Sequence, residues 1–175
     1  VDSLGDTIAA DGVTTLREAI TSANSAAGAD TIAFNTSAFG PGMHVITLTS
    51  ALPTMTGPTT IDGTTQPGYS GSPLIAINNN SMNSSVLVFS GATANGSAVK
   101  GLKLAGFTSL GIQLTNVDNA VLQDLDLSDT PGNYSNQVGV QVETGSDNVT
   151  ISWCRFLGDD GGRRATQVER IGCIA

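Results

Sequence analysis

Apolar positions along this chain fall into two regimes. Leu16, Ala19, Ile20 and Ala23 recur at offsets of 3, 4 and 7, which places them on one helical face. Just before them, Thr15 and Glu18 have the spacing of a capping box, in which each side chain bonds a backbone N–H left orphaned at a helix start. The pattern predicts one short helix over 15–26, with Gly28 as its stop. From Asp30 onward the rhythm changes to short apolar alternations broken by Gly, Asn, Pro and Ser. Thr31–Phe34, Val45–Leu48, Thr60–Asp62 and Leu74–Ile77 read as strands.

That punctuation is periodic. Three hexads, Val99–Leu104, Leu122–Leu127 and Ile151–Phe156, each carry apolar residues at their first, fourth and sixth positions, with a period of about 23–29 residues. A second set, Val86-Leu87-Val88, Ile112-Gln113-Leu114 and Val140-Gln141-Val142, precedes them at nearly constant distance, and the loop from Ser128 to Val138 absorbs the excess length. Strict alternation makes a flat strand, whereas the first-fourth-sixth spacing needs a bend that resets inside and outside. Repeats of two or three short strands with no intervening helix bury their apolar residues only by stacking. The expected fold is therefore all-β: a single-stranded parallel β-solenoid with a short N-terminal capping helix, one domain over 1–175. Coils span 30–156, and 157–175 is an irregular C-terminal end. A β-sandwich needs no sequence repeat, so it ranks below the coil.

In-register stacking puts equivalent residues in columns roughly 4.8 Å apart. Gln113 and Gln141 share one outward column, and Lys103, Asp126 and Arg155 share another with alternating charge. Leu102, Leu125 and Cys154 form an inward column, which makes Cys154 a small buried apolar residue. Gly101, Asp124 and Trp153 occupy the bend itself. The helix covers the N-terminal end of the coil. Periodicity is lost after Phe156, and an uncovered C-terminal edge there would favour an end-to-end homodimer.

Composition narrows the partners. The formal net charge of −8, from 7 basic and 15 acidic residues, excludes a nucleic-acid binder. No run approaches the ~20 apolar residues that span a bilayer, and Val1-Asp2-Ser3 lacks the basic and apolar regions of a signal peptide. Two cysteines, Cys154 and Cys173, allow one disulfide at most and make no zinc site alone.

Thr15–Ile20, Ala23-Asn24 and Gly28–Phe34 resemble the Leu-Arg-Glu-Ala opening of bacterial right-handed parallel β-helix proteins, although Thr14-Thr15 stand where many of those have Cys. Ile61–Gly71 resembles a stretch that follows that opening. The resemblance implies a right-handed coil of the pectate-lyase-like type, a secreted or cell-surface location, and a scaffold that favours polysaccharide partners. It implies no activity, since this scaffold hosts binders, enzymes and inert stalks.

Three functions follow from the residues. The first is a surface module that binds glycans, with Trp153 and Tyr134 as stacking platforms and Gln113 and Gln141 as hydrogen-bonding amides. The second is a glycoside hydrolase or polysaccharide lyase using Asp124, Asp126, Asp129, Asp159 and Asp160, because paired carboxylates can protonate a glycosidic oxygen and activate water. Arg155 would then be the base of a lyase. Leu157–Gly161 is similar to part of the aspartate motif of β-helix polygalacturonases, but the only histidine is His44 and no Arg-x-Lys follows. Asp124, Asp126 and Asp129 also offer hard oxygen ligands for calcium, the one cofactor suggested. The third is a structural solenoid segment of a larger surface protein.

Overall fold

The computed structural model describes residues 1–34, 39–128 and 138–157. Among these described residues, helix α1 (Leu16–Ser25) is followed by thirteen short strands. These are β1 (Asp30–Ala33), β2 (His44–Thr47), β3 (Thr59–Asp62), β4 (Ile75–Asn78), β5 (Leu87–Ser90), β6 (Ala98–Lys100) and β7 (Leu102–Ala105), then β8 (Leu110–Thr115), β9 (Val121–Gln123), β10 (Asp126–Ser128), β11 (Val138–Val142), β12 (Thr150–Ser152) and β13 (Arg155–Leu157). Every pairing between them is parallel, and they sort into three sheets. Sheet A runs β1-β3-β6-β9-β12, sheet B runs β2-β4-β7-β10-β13, and sheet C runs β5-β8-β11 with Met55 bridged to Phe89 as its first rung. Chain order visits A, B and C in rotation, so the protein is a three-sided parallel β-solenoid of about four turns.

The repeat seen in the sequence is the register of the sheets. Val99 pairs with Leu122, Leu122 with Ile151, Lys103 with Asp126, and Asp126 with Arg155. Ile112-Gln113-Leu114 faces Val140-Gln141-Val142 as expected. The first member of that second set needs a correction of one residue. Leu87-Val88-Phe89, not Val86-Leu87-Val88, stands on Ile112-Gln113-Leu114. Leu87 and Phe89 both point into the core while Val88 is half-buried, and a one-residue slip would have exchanged those faces.

Each sheet contributes an inward column. Ile32, Ile61, Val99 and Leu122 line sheet A, and Ile46, Ile77, Leu104 and Leu127 line sheet B. Met55, Phe89 and Leu114 line sheet C, and all of these are buried in one cluster. A single rung exposes its column above and below, so burial exists only in the stack.

Helix α1 closes the N-terminal end, with Leu16, Ile20 and Ala23 buried against the coil. The predicted capping box is present. Glu18 N–H donates to Thr15 Oγ1 (3.2 Å), and Thr15 N–H donates to Glu18 Oε2 (2.8 Å). The helix stops before Gly28. Ala26, in an extended conformation, is its C-cap, and Gly28 (φ 96°) instead turns the chain into β1.

Candidate functional site

On three successive rungs, β6 to β7, β9 to β10 and β12 to β13, the passage from sheet A to sheet B is a tight bend of one or two residues. Gly101, Asp124 and Trp153 occupy it with φ of 61°, 53° and 57°, all in the left-handed region. This is the reset the spacing demanded. Glycine enters that region without penalty and Asp does so readily, but a tryptophan there is an outlier that the surroundings must hold in place. The N–H groups at the bend remain paired across rungs, Gly101 to Gln123 O (3.1 Å) and Asp124 to Ser152 O (3.1 Å).

Two outward columns flank the bend. On sheet A, Asp62, Lys100, Gln123 and Ser152 are in register. On sheet B, Lys103, Asp126 and Arg155 are in register. Lys103 Nζ lies 3.5 Å from Asp126 Oδ2, and Ser128 donates both its N–H (2.9 Å) and its hydroxyl to Asp126 Oδ1. Partial burial works against the Asp126 carboxylate, but the Ser128 hydrogen bonds and the Lys103 and Arg155 charges win and hold its pKa below the ordinary value. The alternating column is thus a real electrostatic feature. Asp124 lies beside it and accepts from Gln123 (3.1 Å).

The segment after β3 folds over this corner. Asp62 caps the 3-10 turn Gly63–Thr65, accepting from Thr64 N–H (3.0 Å) and Thr64 Oγ1 (2.6 Å). Tyr69 then lies against Gly101, where a Cβ would meet its Cε2 at 3.1 Å. Burial, aided by the Asp124 and Asp62 carboxylates, pushes the Tyr69 phenol above its ordinary range. Trp153 projects from the last described bend with 83% of its surface exposed.

The other expected residues are distributed as follows. Gln113 and Gln141 are adjacent on sheet C, away from the corner. The Gln113 amide donates to Glu143 (2.8 Å) and accepts from Ser85 (3.1 Å). Cys154 packs partly buried against the core, and burial raises its thiol pKa, as befits an apolar filler. Asp129, Tyr134, Asp159, Asp160 and Cys173 lie outside the described residues. So does the C-terminal end on which a homodimer would depend. Among the described residues no group of three His, Cys, Asp or Glu side chains could hold a metal ion, and no helix is long and apolar enough to cross a membrane.

No protein-family model, curated protein or solved structure matches this chain. The fold is accordingly carried by the strand register alone, and the corner by its own geometry.

Two networks escaped the sequence reading. Arg17 Nε and Nη2 bond both oxygens of Asp6 (3.1 and 2.9 Å), while Nη1 and Nη2 reach Ala51 O (2.7 Å) and Ser50 O (2.8 Å). Asp6 also accepts from Thr49 N–H (2.6 Å) and Thr49 Oγ1 (2.9 Å). The second is a column at the turn from sheet C to sheet A. Asp118 N–H donates to Asn95 Oδ1 (2.7 Å) and Asp147 N–H to Asp118 Oδ1 (2.8 Å). The recurring pairs Asn95-Gly96, Asp118-Asn119 and Asp147-Asn148 were its signal, since Gly96, Asn119 and Asn148 all have positive φ.

Proposed function

We propose that this chain is an extracellular or cell-surface β-solenoid module that binds polysaccharide along the corner between sheets A and B without cleaving it. The observation that carries the reading is Trp153. A large aromatic ring held in a left-handed conformation and 83% exposed costs backbone strain and forgoes burial, so its retention calls for a partner outside the core. An exposed indole offers an apolar face to the C–H face of a sugar ring and an N–H to its hydroxyls. Gln123, Asp124 and Ser152 sit beside it as donors and acceptors. The extracellular assignment rests on the Leu16-Arg17-Glu18-Ala19 resemblance, with its pectate-lyase-like coil.

The arrangement of Asp126 suits a hydrogen-bond acceptor for sugar hydroxyls rather than a general acid. A carboxylate kept ionised by Ser128 and Lys103 is a poor proton donor at neutral pH. The expected result is retention of the protein by at least one polymer from a panel of plant and microbial polysaccharides, with no release of reducing ends. Trp153→Ala should weaken binding roughly tenfold or more, about 1.4 kcal/mol, while circular dichroism stays unchanged. Release of reducing ends that is abolished by Asp126→Asn would replace this reading with the enzymatic one.

A further inference from the structure

We infer that the corner strip selects uncharged polysaccharides, an inference that rests on the polysaccharide-binding reading above. Among the described residues every lysine and arginine except Arg17, which is buried on Asp6, stands on this strip: Lys100, Lys103 and Arg155. Three carboxylates, Asp62, Asp124 and Asp126, stand among them. The strip is therefore charge-balanced. The rest of the described surface is not, because Asp11, Asp30, Asp118, Glu143 and Asp147 have no lysine or arginine to offset them there, and the whole chain carries −8.

A polymer with a carboxylate on every sugar would meet no net positive charge at the strip and a repulsive field around it. An uncharged chain suffers neither cost. Its vicinal hydroxyls both donate and accept, and the carboxylates and cationic groups of the two columns supply both partners. Trp153 adds, on the rung of Arg155, a face suited to an uncharged ring. Rungs spaced roughly 4.8 Å apart present these partners on the bends of Asp124 and Trp153, beyond the segment that covers Gly101.

The test is native affinity electrophoresis of the full chain in gels holding one soluble polymer at a time. Uncharged gels hold xyloglucan, mixed-linkage β-glucan or galactomannan, and anionic gels hold polygalacturonate or alginate. Each is run at about 20 mM and about 300 mM salt, where screening differs several-fold. The expected result is retardation by an uncharged polymer that changes less than about twofold with salt, is lost in Trp153→Ala, and has no anionic counterpart. The double variant Asp62→Asn/Asp124→Asn leaves the strip net positive and should gain retardation by polygalacturonate at low salt only. Retardation of the unmodified protein by polygalacturonate or alginate alone, weakening steeply with salt, would overturn the selectivity and leave polysaccharide binding standing. Failure of every polymer to retard it would overturn both.

Discussion

Trp153 and Gly101 occupy equivalent bends two rungs apart, and one conformation asks opposite things of them. At Gly101 the left-handed φ is combined with close packing. A Cβ would lie 2.7 Å from Thr64 Cγ2 and 2.9 Å from Thr64 N. Gly101→Ala should therefore cost more than the ~1–2 kcal/mol of the left-handed conformation itself, measured by urea unfolding. At Trp153 the same conformation is borne by a bulky side chain. Trp153→Gly should leave stability unchanged or raise it by up to about 1 kcal/mol while abolishing glycan retention. Loss of stability instead would mean that the indole serves packing. Asp6 is the third residue whose chemistry is decided locally. Burial resists its ionisation, but the bonds from Arg17 and Thr49 prevail and lower its pKa from 3.8. A lowered folded-state pKa means that the ionised form stabilises the fold. That contribution is complete well above pH 3.8 and disappears as pH falls through the folded value. Asp6→Asn should flatten this acid limb of the stability–pH curve. Arg17→Ala, which strands a buried carboxylate, should cost about 3–5 kcal/mol at neutral pH.

Among elements, the informative comparison is between a column that carries charge and one that carries leucine. Lys103, Asp126 and Arg155 alternate in sign on adjacent strands of sheet B. Lys103→Glu would set like charges face to face. The expected loss is at most about 1 kcal/mol, since the pair is partly exposed, and it should shrink in high salt. A loss unaffected by salt would point to packing of the lysine stem. Helix α1 shows how much of an element lies in a four-residue motif. Leu16 enters the core, Arg17 ties the cap to Ser50 and Ala51, and Glu18 closes the capping box. Ala19 packs partly buried against the core. Periodicity revealed the roles of Leu16 and Ala19, and the capping-box spacing revealed that of Glu18. The Arg17–Asp6 pair was not legible because its partners come from separate segments, one before the helix and one after β2.

For the whole molecule, stability is shared among rungs that bury one another. Ile61→Ala, in a rung covered on both sides, should cost about 2–5 kcal/mol and lower protection from hydrogen exchange in β1 and β6, its neighbours in sheet A. The stacked coil, its parallel register and its N-terminal cap were legible because each rung repeats one inside-outside pattern, and in-register stacking turns that repeat into contacts. The bend at Gly101, Asp124 and Trp153 was legible for the same reason. That the coil has three sides and not two came from the sheet pairing. The one-residue slip at Val86–Val88 arose because the four consecutive apolar residues Val86–Phe89 leave the alternation ambiguous until a neighbouring strand chooses a face. The sequence by itself thus determined which residues share a column, since that depends only on spacing along the chain. Tertiary structure alone decided that Trp153 stands in solvent, that Tyr69 lies on Gly101, and that the strip is charge-balanced within an acidic surface. Those facts depend on which distant segments fold over which corner, and no local pattern encodes that.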